Sequence, residues 1–419
     1  MLFVLLLTPV TAAYIHIPFC RRRCFYCDFP VSVVGDRLNG HNSGTIHHYL
    51  QLLIEELRLT YYGLNHPIGQ LQTIFLGGGT PSLLTESQIG QILQTIDQFW
   101  GIAVNAEISM EMDPGTFDFH QIKGYHSAGI NRVSLGVQAF QSQLLAVSGR
   151  THTVEDIHQS VKYLHQSGLE NVSIDLISGL PHQTLEQWQD SLLKAIMLSV
   201  PHLSCYDLIV EPQTPFARQY QSGETPLPTD ETTAQMYRLT QQQLNLAGYC
   251  HYEISNFAQP GYECRHNQTY WKNLPFYGLG MGAASYLEGV RYTRPRTIRG
   301  YGEWITQLQA MIHQKPLPIS IATHPHTTLD CLLDTLMLGL RLAEGVDLRA
   351  LELQFGSLVI QKIIDGLTPH CNQNWFVYDY PTHPPLSTGF PIRMRLTDPE
   401  GFLFSNTVLT TLFHVLSVK

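Results

Sequence analysis

The sequence predicts an α/β fold: a partial (β/α)6 barrel followed by a mainly helical C-terminal domain with a small β-hairpin. Three observations carry this expectation. Apolar, β-rich runs recur six times up to residue 210, each closing on a polar or glycine-rich loop. Between them lie segments whose apolar residues repeat at helical spacing, and strand–loop–helix alternation is the pattern of a parallel sheet covered by helices. Beyond about residue 290 helical periodicity dominates, so the expected domains are 1–290 and 291–419.

The first strand is Ala13-Tyr14-Ile15-His16-Ile17-Pro18, running straight into a cysteine cluster. A helix after Thr45 carries Ile46, Leu50, Leu53, Ile54, Leu57 and Tyr61 on one face. The second strand, Thr73 to Leu76, ends in Gly77-Gly78-Gly79-Thr80-Pro81, and its helix carries Ile89, Ile92, Leu93, Ile96 and Phe99. Strands follow at Ala106 to Met112, Arg132 to Val137, Val172 to Ile177 and Leu203 to Val210. The periodic segments Val154 to Gln166 and Leu185 to Ser199 each follow a residue in capping range. In such sheets reactive groups gather at the carboxyl ends of the strands, where the polar residues of this sequence cluster. In the second domain, Leu329 to Leu342 and Leu348 to Leu367 read as helices. A Pro-rich stretch, Tyr380 to Pro391, leads into Met394-Arg395-Leu396-Thr397 and a turn at Gly401 that predict the hairpin.

Composition narrows the function. With 44% apolar residues in 419, the chain folds around a sizeable core and is not disordered. Lys plus Arg number 25 and Asp plus Glu 34, a net charge of −9, so composition gives no global basic footprint and no support for nucleic-acid binding. Eight cysteines are too few for a disulfide scaffold. Cys205, Cys250, Cys264, Cys331 and Cys371 are scattered and read as small hydrophobes. The apolar run Leu2 to Leu7, followed by Thr11-Ala12-Ala13, looks like a short signal core, but it lacks a basic leader and is too short to cross a bilayer. Cleavage after Ala13 would also cut at the very start of the first strand. The expectation is a cytoplasmic protein, with peripheral membrane contact left open by the apolar terminus.

Cys20-x3-Cys24-x2-Cys27 sets three thiols on one tight loop. Zinc usually takes paired Cys-x2-Cys spacings and four protein ligands, and only His16 and Asp28 stand nearby as a fourth. Three thiolates instead suit a [4Fe–4S] cluster with one iron left open. This spacing, with Tyr26 before the last cysteine, resembles the radical S-adenosylmethionine (SAM) signature. The resemblance implies that the open iron binds the methionyl amine and carboxylate, and that one electron cleaves the sulfonium to a 5′-deoxyadenosyl radical.

Gly77-Gly78-Gly79-Thr80-Pro81 is neither a P-loop nor a dinucleotide fingerprint. Alone it reads as a turn; under the resemblance it is the loop that hydrogen-bonds the methionyl amine. Glu111 closes the third strand, where a carboxylate can accept ribose hydroxyls or simply form a salt bridge. Asp175 lies inside an apolar strand and needs a partner, for which Arg150 is a bidentate candidate. Tyr14-Ile15-His16-Ile17-Pro18-Phe19-Cys20, the glycine loop, Glu111, Gln138, Arg150 and Asp175 together resemble the oxygen-independent coproporphyrinogen oxidase family over roughly residues 13 to 415. That resemblance implies SAM contacts from Tyr14, Gly78 and Glu111. It matches Tyr26, Gly79, Thr80, Gln138, Arg150 and Asp175 to SAM-contacting positions, some belonging to a second molecule.

Two features separate the branches of that family. The decarboxylase carries a fourth cysteine two residues after the third, and here that position is Phe29. His266-Asn267-Gln268-Thr269-Tyr270-Trp271 resembles the His-Asn-x-x-Tyr-Trp motif of a haem-chaperone branch. Its His, Tyr and Trp could present an axial ligand and an aromatic surface to a porphyrin, although a histidine among aromatics is more often packing. The chaperone branch implies haem alongside cluster and SAM, recipient haem proteins such as respiratory cytochromes, and a cluster that gates transfer or formation of a homodimer. The alternative is SAM-dependent oxidative decarboxylation of coproporphyrinogen III to protoporphyrinogen IX. Phe29 argues against it, and the Gln138, Arg150 and Asp175 set keeps it open.

Overall fold

A computed structural model describes residues 9–63, 68–311, 327–380 and 391–417. The apolar run Leu2 to Leu7 and the Pro-rich residues 381–390 lie outside them. Six strands pair in parallel in chain order: β1 (Val10–Ile17), β2 (Ile68–Gly78), β3 (Ile102–Met112), β4 (Arg132–Gln138), β5 (Val172–Ser178) and β6 (His202–Asp207). Three short strands extend the sheet to nine: β7 (Cys250–Glu253) and β8 (Asn256–Ala258) antiparallel beyond β6, and β9 (Tyr277–Leu279) parallel on the far side of β1. The spatial order is β9-β1-β2-β3-β4-β5-β6-β8-β7. A separate hairpin, β10 (Ala284–Leu287) against β11 (Val290–Thr293), follows β9 in the chain. Ala12 and Ala13 are buried inside β1, so the stretch that resembles a cleavage site is part of the sheet.

The covering helices are α1 (Gly44–Gly63), α2 (Glu86–Phe99), α3 (Phe119–Ala128), α4 (Val154–Gln166) and α5 (Leu185–Met197). Each of α2 to α5 opens on a capping box, Thr85 with Gln88, Asp118 with Gln121, Thr153 with Asp156 and Thr184 with Gln187. The reciprocal bonds satisfy two otherwise orphaned backbone donors and fix where each helix begins. Ile89, Ile92, Leu93 and Ile96 of α2, and Ile157, Val161 and Leu164 of α4, bury the apolar stripes against the sheet. Next come α6 (Asp230–Leu246), α7 (Arg265–Trp271) and α8 (Ile298–Ala310). Helix α8 packs on α1 and sends Tyr301, Trp304, Ile305 and Leu308 into the same core.

A second core forms around Leu336, Leu340, Ile360, Ile363, Phe376, Met394 and Leu412. Its helices are α9 (Thr328–Gly339), α10 (Leu348–Phe355), α11 (Ser357–Asn372) and α12 (Ser405–Ser417). A two-residue strand, β12 (Val346–Asp347), precedes a hairpin of β13 (Phe376–Asp379) against β14 (Arg393–Leu396), and β12 joins the other edge of β14; Gly401, expected at the hairpin's turn, instead lies in a short helix after β14. The segment read as one helix from Leu348 to Leu367 is two, because Gly356 sits at φ +91° and breaks the helical turn. This core meets the sheet where Ile254 N–H donates to the Arg341 carbonyl (2.9 Å) and Ala343 N–H to that of Tyr252 (3.0 Å). Among the described residues no helix is long and apolar enough to cross a membrane.

Candidate functional site

At the carboxyl ends of β1 to β6 lies a cavity of about 640 Å³, within the range of small-molecule sites. All thirteen residues singled out from the sequence line it: Tyr14, Cys20, Cys24, Tyr26, Cys27, Gly78, Gly79, Thr80, Glu111, Gln138, Arg150, Asp175 and His266.

The cysteine loop is stapled at its base. Phe19–Cys20 pairs in parallel with Ser32–Val33, with Ser32 N–H donating to the Pro18 carbonyl (2.6 Å) and Val34 N–H to that of Cys20 (2.9 Å). His16 Nε2 donates to the Pro30 carbonyl (3.0 Å), which leaves Nδ1 to accept from the Tyr14 hydroxyl (3.0 Å). Burial lowers His16 to about 4, so the ring is neutral and its tautomer follows from those two bonds. Midway, Phe25 N–H donates to the Ser148 carbonyl (3.0 Å) and Phe25 O accepts from Phe216 N–H (3.1 Å). Arg296 holds the Asp28 carbonyl (3.1 Å).

A buried network supports the loop from behind. Glu56, fully buried on α1, accepts from Gly280 N–H (2.6 Å), Arg294 Nε (2.8 Å) and the Tyr301 hydroxyl (2.6 Å). Tyr49 donates to the His16 carbonyl (2.6 Å) and accepts from Met281 N–H (3.1 Å). These bonds hold Gly280-Met281-Gly282 tight against the cysteine loop. A Cβ on Gly280 would lie 2.7 Å from the His16 carbonyl oxygen, and one on Gly282 only 2.3 Å from Pro30 Cγ.

The glycine loop closes the other side. Gly78 sits at φ +107°, and a Cβ there would lie 2.2 Å from the His16 ring, so only glycine fits. Its N–H donates to Glu111 Oε2 (2.8 Å). Burial pushes Glu111 up to about 8 against that bond, leaving the carboxyl mostly protonated at neutral pH. Thr80 Oγ1 donates to Asp113 (3.1 Å). Gln138 ends β4 at φ +68°, a backbone region glutamine rarely adopts, and it lines the cavity there.

The structure corrects one pairing. Arg150 does not bind Asp175; its Nη2 pairs with Asp113 (2.5 Å) and the Gly136 carbonyl (2.8 Å), and its Nη1 reaches Cys24 Sγ (3.4 Å). Asp175 is held instead by the Ser134 hydroxyl (2.8 and 2.9 Å) and that of Ser173 (3.1 Å). Burial still raises its pKa, with the serines opposing. Ser134, Ser173 and His202 share one register across β4, β5 and β6, with Ser204 opposite Asp175. His202 bonds Ser173 (2.8 Å) and Tyr252 (2.9 Å), and burial holds it neutral. Sequence reading missed this polar floor, because single serines in apolar strands carry no signal until register aligns them.

His266 is fully buried in the cavity wall. Nδ1 shares a hydrogen bond with Thr73 (2.9 Å) and Nε2 with the Tyr270 hydroxyl (2.8 Å), and the ring stacks on Phe75. Burial lowers it to about 3. Its position is set by Glu107, also missed from sequence, which accepts from the Arg265 (3.1 Å) and His266 (3.0 Å) N–H groups at the start of α7.

The donor chemistry fits a cluster. Three sulfurs from one loop line a cavity with room beside them, and no group of three His, Cys, Asp or Glu among the described residues is gathered around a single ion point. A cubane takes each thiolate on a different iron, so it does not need such a point. Burial pushes the free thiols up, Cys20 to about 12 and Cys27 to about 11; coordination to iron would reverse this by deprotonating them.

Comparison with known proteins follows the same lines. Residues 14–195 match the model of the radical SAM superfamily. A protein named heme chaperone HemW from Synechocystis sp. is 46% identical over 412 residues, covering 97% of each chain. The chain belongs to the HemW family. The HemW relative of Bacillus subtilis is 36% identical over 359 residues, covering 85% of this chain and 89% of its own. The solved structure of coproporphyrinogen III oxidase (HemN) from Escherichia coli superposes with a TM-score of 0.77 at 21% identity, over 99% of this chain and 91% of that one. This chain thus shares the fold of that structure, with the parallel sheet and helical C-terminal region in common.

Proposed function

We propose that this chain is a haem chaperone that carries a [4Fe–4S] cluster on Cys20, Cys24 and Cys27, binds SAM beside it, and delivers haem to recipient haem proteins. One observation carries the reading: His266, Asn267 and Tyr270 of the His-Asn-x-x-Tyr-Trp helix line the same cavity as the three cysteines. The names of the HemW relatives support it.

When bound, the cluster would supply an open iron for the amine and carboxylate of SAM. Gly78 and Gly79 let the glycine loop lie close against His16 and the backbone of residues 17–19, and Tyr14 and Glu111 line the cavity beside it. Asp113 and Arg150 neutralise each other beside Cys24, so Arg150 orients rather than titrates. Gln138, Asp175 and the serines face the inner end, where hydroxyl and amide groups of a ligand find partners. We keep the division into 1–290 and 291–419 as part of this reading, with residues 294–310 packing back onto the first part and the helices from α9 onward closing over β7 and α7. Within this reading the compartment is the cytoplasm and respiratory cytochromes are the recipients. A homodimer or a peripheral membrane contact would belong to the transfer step.

The competing reading is coproporphyrinogen decarboxylation, favoured by the presence of Gln138, Arg150 and Asp175 in the cavity and opposed by Phe29. The deciding experiment is anaerobic incubation of cluster-loaded protein with coproporphyrinogen III, SAM and a reductant, alongside a haem titration. Haem binding without protoporphyrinogen formation is expected; many turnovers of product would overturn the chaperone reading.

A further inference from the structure

The chain is anionic overall and only 14% charged, yet Arg21, Arg22 and Arg23 stand in a row on the cysteine loop. Arg21 turns away to the Gly115 carbonyl (3.1 Å), while Arg22 and Arg23 line the cavity. Phe29 and Ile209, 57% and 68% exposed, line the same cavity. Isolated exposed apolar residues are ordinary, but two large ones beside cations at a cavity mouth form a surface of mixed character that suits an amphiphile. Arg23 Nη2 donates to the Phe29 carbonyl (2.6 Å), which ties the cation to the main chain that carries the phenyl ring. Arg22 spends one Nη on Asp36 (2.7 Å); its side chain is 62% exposed, so the rest of its fork is open to a ligand.

Building on the haem-chaperone reading, we infer that haem is received at this mouth, its two propionates on Arg22 and Arg23 and one macrocycle face on Phe29 and Ile209. Haem is a flat apolar disc with both carboxylates on one edge, and this rim offers an apolar wall with two cations beside it. SAM fits the rim poorly, since it carries a single carboxylate and two positive groups. An acidic protein docking to reduce the cluster would use the arginines but gain little from exposed apolar side chains. Phe29 then acts as a platform for the macrocycle at the position where the decarboxylase branch has a cysteine.

The test compares haem with its dimethyl ester, which keeps the macrocycle and removes both charges. Full-length protein, reconstituted to equal iron and sulfide, is titrated with each, as wild type, as Arg22→Ala/Arg23→Ala and as Arg22→Lys/Arg23→Lys. Wild type should bind haem about tenfold tighter than the ester, the modest gain of two partly exposed ion pairs. The alanine variant should bind both as wild type binds the ester, and the lysine variant should keep most of the preference. Equal binding of both ligands by wild type, or a preference surviving in the alanine variant, overturns the inference while leaving haem binding intact. Loss of cluster reduction by an acidic flavoprotein with the haem preference unchanged would assign the arginines to a redox partner and also overturn it. If wild type binds neither ligand, the chaperone reading itself fails.

Discussion

Replacing Arg294 by Met should destabilise the protein and loosen the cysteine loop together. Arg294 and Glu56 are 2.8 Å apart, with side chains 1% and 0% exposed. Methionine keeps much of the volume over Trp304 but leaves the Glu56 carboxylate buried with only the Gly280 N–H and the Tyr301 hydroxyl. Orphaning one member of a buried ion pair costs about 3–5 kcal/mol. With a urea slope of about 3 kcal/mol per M, the midpoint should fall by about 1–1.7 M. Adding Glu56→Gln removes the stranded charge and should restore part of the loss, so the double variant is better than the sum of the singles. Because Gly280 to Gly282 abut His16 and Pro30, the single variant should also release iron to a chelator faster than wild type. A loss below about 1 kcal/mol, or a double variant as poor as the two singles added, would refute the view that this pair acts as one buried unit.

Other consequences are equally direct. His16, His152 and His266 are buried with values lowered to about 4, 4 and 3. The unfolded chain takes up their protons first, so their stabilisation is complete above about pH 6.5 and drains away as pH falls toward 4. His266→Gln should therefore flatten the pH dependence of stability between 5 and 6 by about 1.4 kcal/mol per unit, read from urea melts; an unchanged slope would mean that His266 is not held neutral. Arg150→Gln leaves Asp113 beside Cys24 with the Thr80 hydroxyl but no cation and should weaken SAM binding about tenfold by equilibrium dialysis, an ion-pair-sized loss. Tyr270→Phe frees His266 Nε2. If that nitrogen ligates haem iron, binding should tighten about threefold and the haem absorption band should shift, whereas identical spectra in Tyr270→Phe and His266→Ala would exclude it.

The sheet was legible because parallel strands are buried on both faces and read as apolar runs, and because Thr-x-x-Gln and Thr-x-x-Asp caps mark where α2, α4 and α5 begin. The site was legible for a related reason. Its residues sit directly after strands, so chain position alone delivers them to one end of the sheet. Contacts between loops were not. Arg150 could face Asp113 or Asp175, and only the spatial arrangement of the loops after β3 and β4 decides for Asp113. Glu56 looks like one half of a surface Glu-Glu pair on a helix; nothing local says that α8 and the 280–282 loop will bury it. Strands of three or four residues such as β8 and β9 are too short to carry a period.

The place of β1 in the sheet has a consequence for biogenesis. Made before the other strands of its sheet, it gains β2 soon afterwards, but its other neighbour, β9, is not made until residue 279. Until then β1 is an unpaired edge, and the loop carrying Cys20, Cys24 and Cys27 lacks the buttress built from Gly280 to Arg294. Edges of this kind are where nascent chains mispair or recruit chaperones. Iron insertion is therefore expected to follow release of the N-terminal part from the ribosome, and fragments ending before Tyr277 should accumulate as thiol-exposed, iron-free chains.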